Sequence, residues 1–140
     1  SRKKNQQYKL IFQSNIENAK KGDEKAQYVV GYMYYKGKGV PKDYIKAAEW
    51  DKKSAEGSYT KALNNLAYLY QKGKGVNKDI HKAEQLLLKS AKQGDDVACL
   101  NLGTANMEDA EYWYRKAMDK GNPAATRIYR RIQAMEQKEN

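Results

Sequence analysis

The sequence predicts an all-α fold in which short helical hairpins repeat along the chain and stack into a solenoid. When the sequence is shifted by 36 residues against itself, Tyr34 falls on Tyr70, and residues 37–40 fall on residues 73–76. Within each copy, apolar residues recur with the period of about 3.6 residues that is typical of a helix. The chain has only two prolines, and alanine, leucine, lysine and glutamate fill the stretches between its glycines. This composition favours helices over strands.

Each copy is predicted to be one helical hairpin, because its apolar period stops at a GKGV segment and resumes after an aspartate. Gly37 and Gly39 can take the positive φ angles that a turn between helices needs. Asp43 can accept the first N–H groups of the second helix as an N-cap. Small Gly31 allows close helix contact, and Tyr34 fills the space beside it. The second copy has the corresponding residues Gly73, Gly75, Asp79, Ala67 and Tyr70.

The first copy, from Ala26 to Trp50, reads A-x4-G-x2-Y-x2-G-x-G-V-x2-D-x2-K-A-x2-W. This pattern resembles the Sel1-like repeat, a relative of the tetratricopeptide repeat. The second copy ends at Leu86 and departs from the pattern only there and at Ala67. The resemblance covers most of the chain, and it implies a right-handed superhelical solenoid of α/α hairpins. It also implies a bacterial adaptor or scaffold that binds another protein and has no catalytic activity.

A third copy is in register from Ala98, but its middle is missing. The interval from Ala98 to Ala110 is nine residues shorter than the matching interval of the second copy. One explanation is a shortened hairpin with Asn106 as N-cap and Asp109 at the third helical position. The other is that a loop of nine residues is absent from the sequence, and we favour it because nine residues restore the period of 36. We expect a single domain with an N-terminal helix at residues 8–21, repeats at 22–56, 57–93 and 94–120, and a C-terminal capping helix at 121–140.

The residue types that support catalysis or metal binding are scarce. The single histidine, His81, follows Asp79 in the first turn of a helix, and no nucleophile with a positioned base can be assembled around it. The single cysteine, Cys99, excludes an internal disulfide and is expected to be a buried, unreactive thiol. The GKG segments lack the GK[ST] sequence of a phosphate-binding loop, so we interpret their glycines as turn residues. We expect no enzymatic activity, no metal and no cofactor.

The candidate binding surface is a stripe on the first helices of the hairpins. In the tetratricopeptide-type architecture that the sequence resembles, these helices line the concave wall. Ala26, Val30, Gly31 and Tyr34 take the packing positions, which leaves a second stripe free to bind. Tyrosine suits such a stripe, because it combines a large rigid apolar area with a hydroxyl; the alternative interpretation is that these tyrosines only pack. The predicted partner-binding residues are Lys25, Tyr28, Tyr32, Tyr35, Lys61, Asn64, Tyr68 and Gln71, with Arg127 and Arg131 if Ala125 takes the position of Ala26.

The charge of the chain narrows the class of partner. The sequence has 27 lysines and arginines against 17 aspartates and glutamates, a net charge of +10, which favours a partner with an acidic surface. We expect a monomeric adaptor or scaffold; the alternative is a bacterial immunity protein that inhibits a secreted toxin. Nucleic-acid binding ranks lower, because lysine and glutamate alternate along the helices and no RNA-binding motif is present. No apolar run approaches the roughly 20 residues that span a bilayer, so we expect a soluble protein. Its localisation is left open, with the bacterial periplasm and export as a mature chain as the two alternatives.

Overall fold

The computed structural model describes residues 1–105 and 109–139. These residues form eight α-helices and no strand, which confirms the predicted all-α fold class. The first helix begins at Arg2 rather than at residue 8, and the Oγ atom of Ser1 accepts a hydrogen bond from its first turn. In chain order the helices are α1 (Arg2–Lys20), α2 (Glu24–Lys36), α3 (Tyr44–Glu56), α4 (Thr60–Lys72), α5 (Ile80–Lys92), α6 (Asp96–Ala105), α7 (Ala110–Asp119) and α8 (Pro123–Glu139).

The chain divides into two compact units, Ser1–Ala83 and Glu84–Asn140. In the first unit, Ala19, Ala26 and Val30 form a buried cluster at the contact of α1 and α2, with half-buried aromatic rings packed around it. The core continues into α4, where Ala62 and Leu63 are inaccessible to solvent. In the second unit, Ala110, Tyr114 and Tyr129 form a buried cluster from α7 and α8.

The turns between the hairpin helices have the predicted backbone conformation. Gly37 ends α2 with a φ of 68°, and Gly39 has a φ of 75°; the equivalent glycines of the second copy have φ values of 67° and 71°. Asp43 caps α3 by accepting a hydrogen bond of 3.0 Å from the backbone N–H of Lys46. Asp79 caps α5 in the same way through Lys82, also at 3.0 Å. The turn glycines and both N-caps are therefore confirmed.

The second glycine of each turn lies directly against the backbone of an earlier helix. A Cβ atom on Gly39 would be 2.6 Å from the carbonyl oxygen of Tyr8, and a Cβ atom on Gly75 would overlap the carbonyl oxygen of Tyr44. Tyr8 and Tyr44 are one repeat length apart, so α1 receives the first turn as α3 receives the second. Only glycine fits this contact, which fixes where each turn lies on the preceding helix.

Gly31 makes the close helix contact that the sequence predicts. A Cβ atom at this position would lie 2.7 Å from Oδ1 of Asp51 and 3.2 Å from the carbonyl oxygen of Ala47, both on α3. Tyr34 is half-buried, and its ring packs edge-on against Phe12 with 5.5 Å between the ring centroids. The packing positions predicted for α2 are thus occupied as expected.

The third copy differs from the shortened hairpin considered above. Helix α7 begins at Ala110, and Asp109 is its N-cap residue, without a side-chain hydrogen bond to the helix. The expectation that Asp109 occupies the third helical position is therefore wrong, because the helix begins one residue after it. Asn106, the proposed cap, lies outside the described residues. Gly103 repeats the role of Gly31, since a Cβ atom there would lie 3.0 Å from the ring of Tyr114.

Candidate functional site

Four tyrosines of the predicted stripe form one surface of the first unit, which we call the tyrosine face: Tyr28, Tyr32 and Tyr35 of α2, and Tyr68 of α4. The ring centroids of Tyr28 and Tyr32 are 6.4 Å apart, and those of Tyr35 and Tyr68 are 6.3 Å apart. Tyr32 is 39% exposed and Tyr68 is 40% exposed. Two successive repeats therefore present their tyrosines side by side to solvent.

The four rings differ in how far packing already engages them. Tyr28 is half-buried, and its ring makes an edge contact with Tyr59 at a centroid distance of 5.5 Å. Tyr35 is also half-buried, and its ring lies 5.3 Å from that of Tyr44. Burial raises the pKa of Tyr28, and the nearby carboxyl of Asp51 raises it further by a smaller amount. Tyr32 and Tyr68 are consequently the members of the face with the most area free for a partner.

Lys74, from the turn after α4, reaches back onto the tyrosine face. Its ammonium donates hydrogen bonds to the hydroxyls of Tyr35 and Tyr68, at 3.2 Å and 3.4 Å. Nζ also lies 5.4 Å from the ring centroid of Tyr35 and 5.3 Å from that of Tyr68. The hydrogen bonds from Tyr35 and Lys74 lower the pKa of Tyr68, and the pKa of Lys74 is raised because both hydroxyls stabilise its charged form. Lys74 therefore holds the two rings together.

The other predicted partner-binding residues are spread over both units. Lys25 and Lys61 are exposed near the starts of α2 and α4, while Asn64 and Gln71 are half-buried on α4. Arg127 and Arg131 are exposed on α8, in the second unit. Ala125 is fully buried there, as the equivalence with Ala26 requires.

A cavity of about 210 Å³ lies behind the tyrosine face, between α2, α3 and α4. The carboxyl of Asp51 forms part of its wall, although this residue is only 3% exposed. Among the described residues, Oδ1 of Asp51 has no hydrogen-bond partner. Burial raises the pKa of this carboxyl from its ordinary value of 3.8 to about 8. The lining residues are Tyr32, Tyr35, Lys36, Asp51, Asn65, Tyr68 and Leu69.

The sequence analysis missed Asp51, although the repeat itself carries a signal for it. The equivalent residues of the other two copies are Leu87 and Tyr114, which are 1% and 7% exposed. An aspartate thus occupies a core position that is otherwise apolar or aromatic. The short carboxyl of Asp51 faces Gly31, whereas the other copies place a larger side chain at the position of Asp51.

The residues considered for catalysis or metal binding lie elsewhere. His81 is exposed on α5. Cys99 is a free, buried thiol whose pKa is raised by burial, as expected of an unreactive cysteine. No group of three or more metal-ligating side chains occurs within residues 1–105 and 109–139. None of the helices in this described part is long and apolar enough to cross a membrane.

Comparison with known proteins agrees with the repeat. The Sel1 repeat model matches residues 24–59, 60–95 and 98–122, whereas a search of curated proteins finds no match. A Sel1 repeat protein from Oxalobacter formigenes is 32% identical with a TM-score of 0.71, over 77% of this chain and 48% of that one.

Two further solved structures are similar. A protective antigen of uropathogenic Escherichia coli with an SLR fold is 28% identical (TM-score 0.78), over 84% of this chain and 27% of that one. Helicobacter pylori cysteine-rich protein B is 28% identical (TM-score 0.61), over 63% of this chain and 66% of that one. The chain thus spans about half or less of the first two proteins. The matched repeats cover most of the sequence, and the chain belongs to the Sel1 repeat family.

Proposed function

We propose that this chain is a non-enzymatic adaptor or scaffold module that holds a partner protein with an acidic surface against the tyrosine face. Sel1 repeats are generally protein–protein interaction modules. The observation that supports this particular surface is the pair of large, exposed rings, Tyr32 and Tyr68, contributed by two successive repeats. Tyrosine is enriched at the few interface positions that supply most of the binding energy.

The tyrosine face is organised before a partner arrives. Lys74 is hydrogen-bonded to Tyr35 and Tyr68, and the ring of Tyr35 is in contact with those of Tyr44 and Tyr68. Side chains that are already ordered lose less conformational entropy on binding, which typically costs about 0.5 to 1.5 kcal/mol for each flexible side chain that becomes fixed. This order favours recognition of a protein surface.

The charge around the face favours an acidic partner. Exposed Lys25, Lys36 and Lys61 lie on the same two helices as the tyrosines, and the chain carries a net charge of +10. Exposed charges of this kind mainly accelerate association and make it depend on salt. We therefore assign affinity to the tyrosines and steering to the lysines.

The test is a Tyr32→Ala/Tyr68→Ala double variant, with Tyr112→Ala as the matched control. Tyr112 is 56% exposed on α7, outside the tyrosine face. A partner is first identified by capture with the products of neighbouring genes, and its affinity is then measured by titration calorimetry. The double variant should weaken binding by at least about 2 kcal/mol, while its stability should change by less than about 1 kcal/mol. Equal affinities for the parent and the double variant would exclude the tyrosine face as the site.

A further inference from the structure

The cavity behind the tyrosine face contains an unsatisfied polar group. Oδ1 of Asp51 has no hydrogen-bond partner among the described residues, and the side chain is almost completely buried. A buried polar atom without a partner is rare in folded proteins and costs stability. At this repeat position the other copies use Leu87 and Tyr114, so packing does not require a carboxyl here.

The chemistry around Asp51 suits a positively charged nitrogen. Burial keeps the carboxyl of Asp51 protonated while the cavity is empty, and an opposite charge at hydrogen-bond distance favours its ionised form, with release of the proton to solvent. The rings of Tyr32, Tyr35 and Tyr68 line the same cavity. Aromatic rings attract cations through their faces, and such cages recognise ammonium groups. The chain's own lysines show this preference, since Nζ of Lys36 lies 5.9 Å from the ring centroid of Tyr32.

We propose that the cavity receives one lysine or arginine side chain of the partner protein, with the carboxylate of Asp51 as its counter-ion and the rings of Tyr32, Tyr35 and Tyr68 as its walls. This inference rests on the proposed function and names the anchoring group on the partner. A volume of about 210 Å³ accommodates a single side chain. The partner then presents one basic residue within an otherwise acidic surface, and this residue inserts into the cavity.

Lys36 could in principle supply the cation that pairs with Asp51 from within the chain, but its position does not allow this. Its ammonium lies over the outer rings, 5.9 Å from the centroid of Tyr32 and 5.8 Å from that of Tyr35. No salt bridge joins it to Asp51 in the described part of the chain. Lys36 thus lines the cavity without forming an ion pair with Asp51.

The experiment uses two small probes of nearly equal length, Nα-acetyl-lysine amide and Nα-acetyl-norleucine amide, which differ by the ammonium group. Each is titrated into the full chain, and the amide resonances of Gly31 and Asn65 are followed by NMR. The lysine probe should bind at least about tenfold more tightly than the norleucine probe. Asp51→Asn, which keeps the size of the side chain and removes only its ability to ionise, should abolish this preference. Asp51→Leu, which restores the residue type of the second copy, should fill the cavity and abolish binding of both probes.

A Lys36→Met variant tests whether the site is already occupied from within. It should bind the lysine probe as tightly as the parent or severalfold more tightly. Binding that appears only in Lys36→Met would overturn the proposal, because the cavity would then serve the chain's own lysine. Equal binding of the two probes, or no saturable shift with the lysine probe, would overturn it as well.

Affinity for the partner protein separates this inference from the proposed function. If Tyr32→Ala/Tyr68→Ala weakens partner binding and Asp51→Asn does not, the tyrosine face is the site but no cation enters the cavity. If the lysine probe binds the parent and the double tyrosine variant still binds the partner fully, the cavity takes a cation but the partner docks elsewhere. Loss of partner affinity in both variants, by at least about tenfold for Asp51→Asn, is the expected result.

Discussion

Replacing Asp51 by asparagine should make the protein more stable, and the gain should grow with pH. Burial raises the pKa of this carboxyl from 3.8 to about 8 in the folded chain, so the folded state holds a proton that the unfolded state has released. Stability from this group is fully present below about pH 4 and is lost as pH rises towards 8. Asparagine keeps the size of the side chain and removes the ionisation.

The size of the effect follows from the shift. Each unit of pKa difference corresponds to about 1.4 kcal/mol, so the stability difference between Asp51→Asn and the parent should increase by about 3 to 4 kcal/mol from about pH 5 to about pH 8. Urea unfolding at both pH values measures it. In a Trp113→Phe background, the fluorescence of Trp50 on α3 reports on the first unit alone.

Glu49→Gln is the matched control, because it removes an exposed carboxylate from the same helix. Other titrating groups contribute equally to the parent and the variant, so they cancel in the difference. A difference between Asp51→Asn and the parent that stays constant from about pH 5 to about pH 8 would refute the reasoning. The carboxyl would then have reached water or a partner group in the folded chain.

Two other substitutions test the packing of the repeats, and one mass measurement tests the length of the third copy. Tyr34→Ala should lower the free energy of unfolding by about 2 to 3 kcal/mol, because it removes a half-buried ring from beside Phe12; a change below about 0.5 kcal/mol in urea unfolding would contradict this packing role. Gly75→Ala should lower the free energy of unfolding by about 2 kcal/mol more than Gly22→Ala does. Both glycines have positive φ, but only a Cβ atom on Gly75 meets backbone atoms. Equal decreases in melting temperature for the two variants would mean that only the strained φ angle matters and the backbone contact does not. Intact mass spectrometry should find a chain about nine residues heavier than 16.1 kDa, and a mass of 16.1 kDa would establish the shortened third copy.

The features that depend on local backbone chemistry were predictable from the sequence. A positive φ at Gly37 and an N-cap at Asp43 need only a residue type at a position, and both recur one repeat later. The start of α1 was not predictable from apolar periodicity, because the residues before Tyr8 are polar. They still form a helix, since lysine, arginine and glutamine are good helix formers.

The features that depend on contacts across the repeat were harder to predict. The phase of α2 placed Tyr32 on the free stripe and Tyr34 on the packed one. It gave no indication that Lys74 reaches Tyr35 and Tyr68, because that contact depends on how the turn of one copy lies on the previous copy. The close approach of Gly75 to α3 fixes the turn, and this approach is a tertiary contact.

The repeat itself offers a way to find a site such as the one at Asp51. Stacked hairpins bury the same positions in every copy, so a residue at such a position should vary in size but not in polarity unless it serves something other than packing. Most buried positions of this chain obey that rule, as in the three sets Ala26, Ala62 and Ala98; Gly31, Ala67 and Gly103; and Ala47, Ala83 and Ala110. Gln27 and Ser54 are polar where another copy has an apolar residue, but each donates a hydrogen bond to a backbone carbonyl. The set of Asp51, Leu87 and Tyr114 departs further, because a carboxyl replaces an apolar or aromatic side chain and its Oδ1 has no hydrogen-bond partner among the described residues. A buried polar atom is costly when it has no hydrogen-bond partner, so the departure points to a group that enters the cavity from outside the chain.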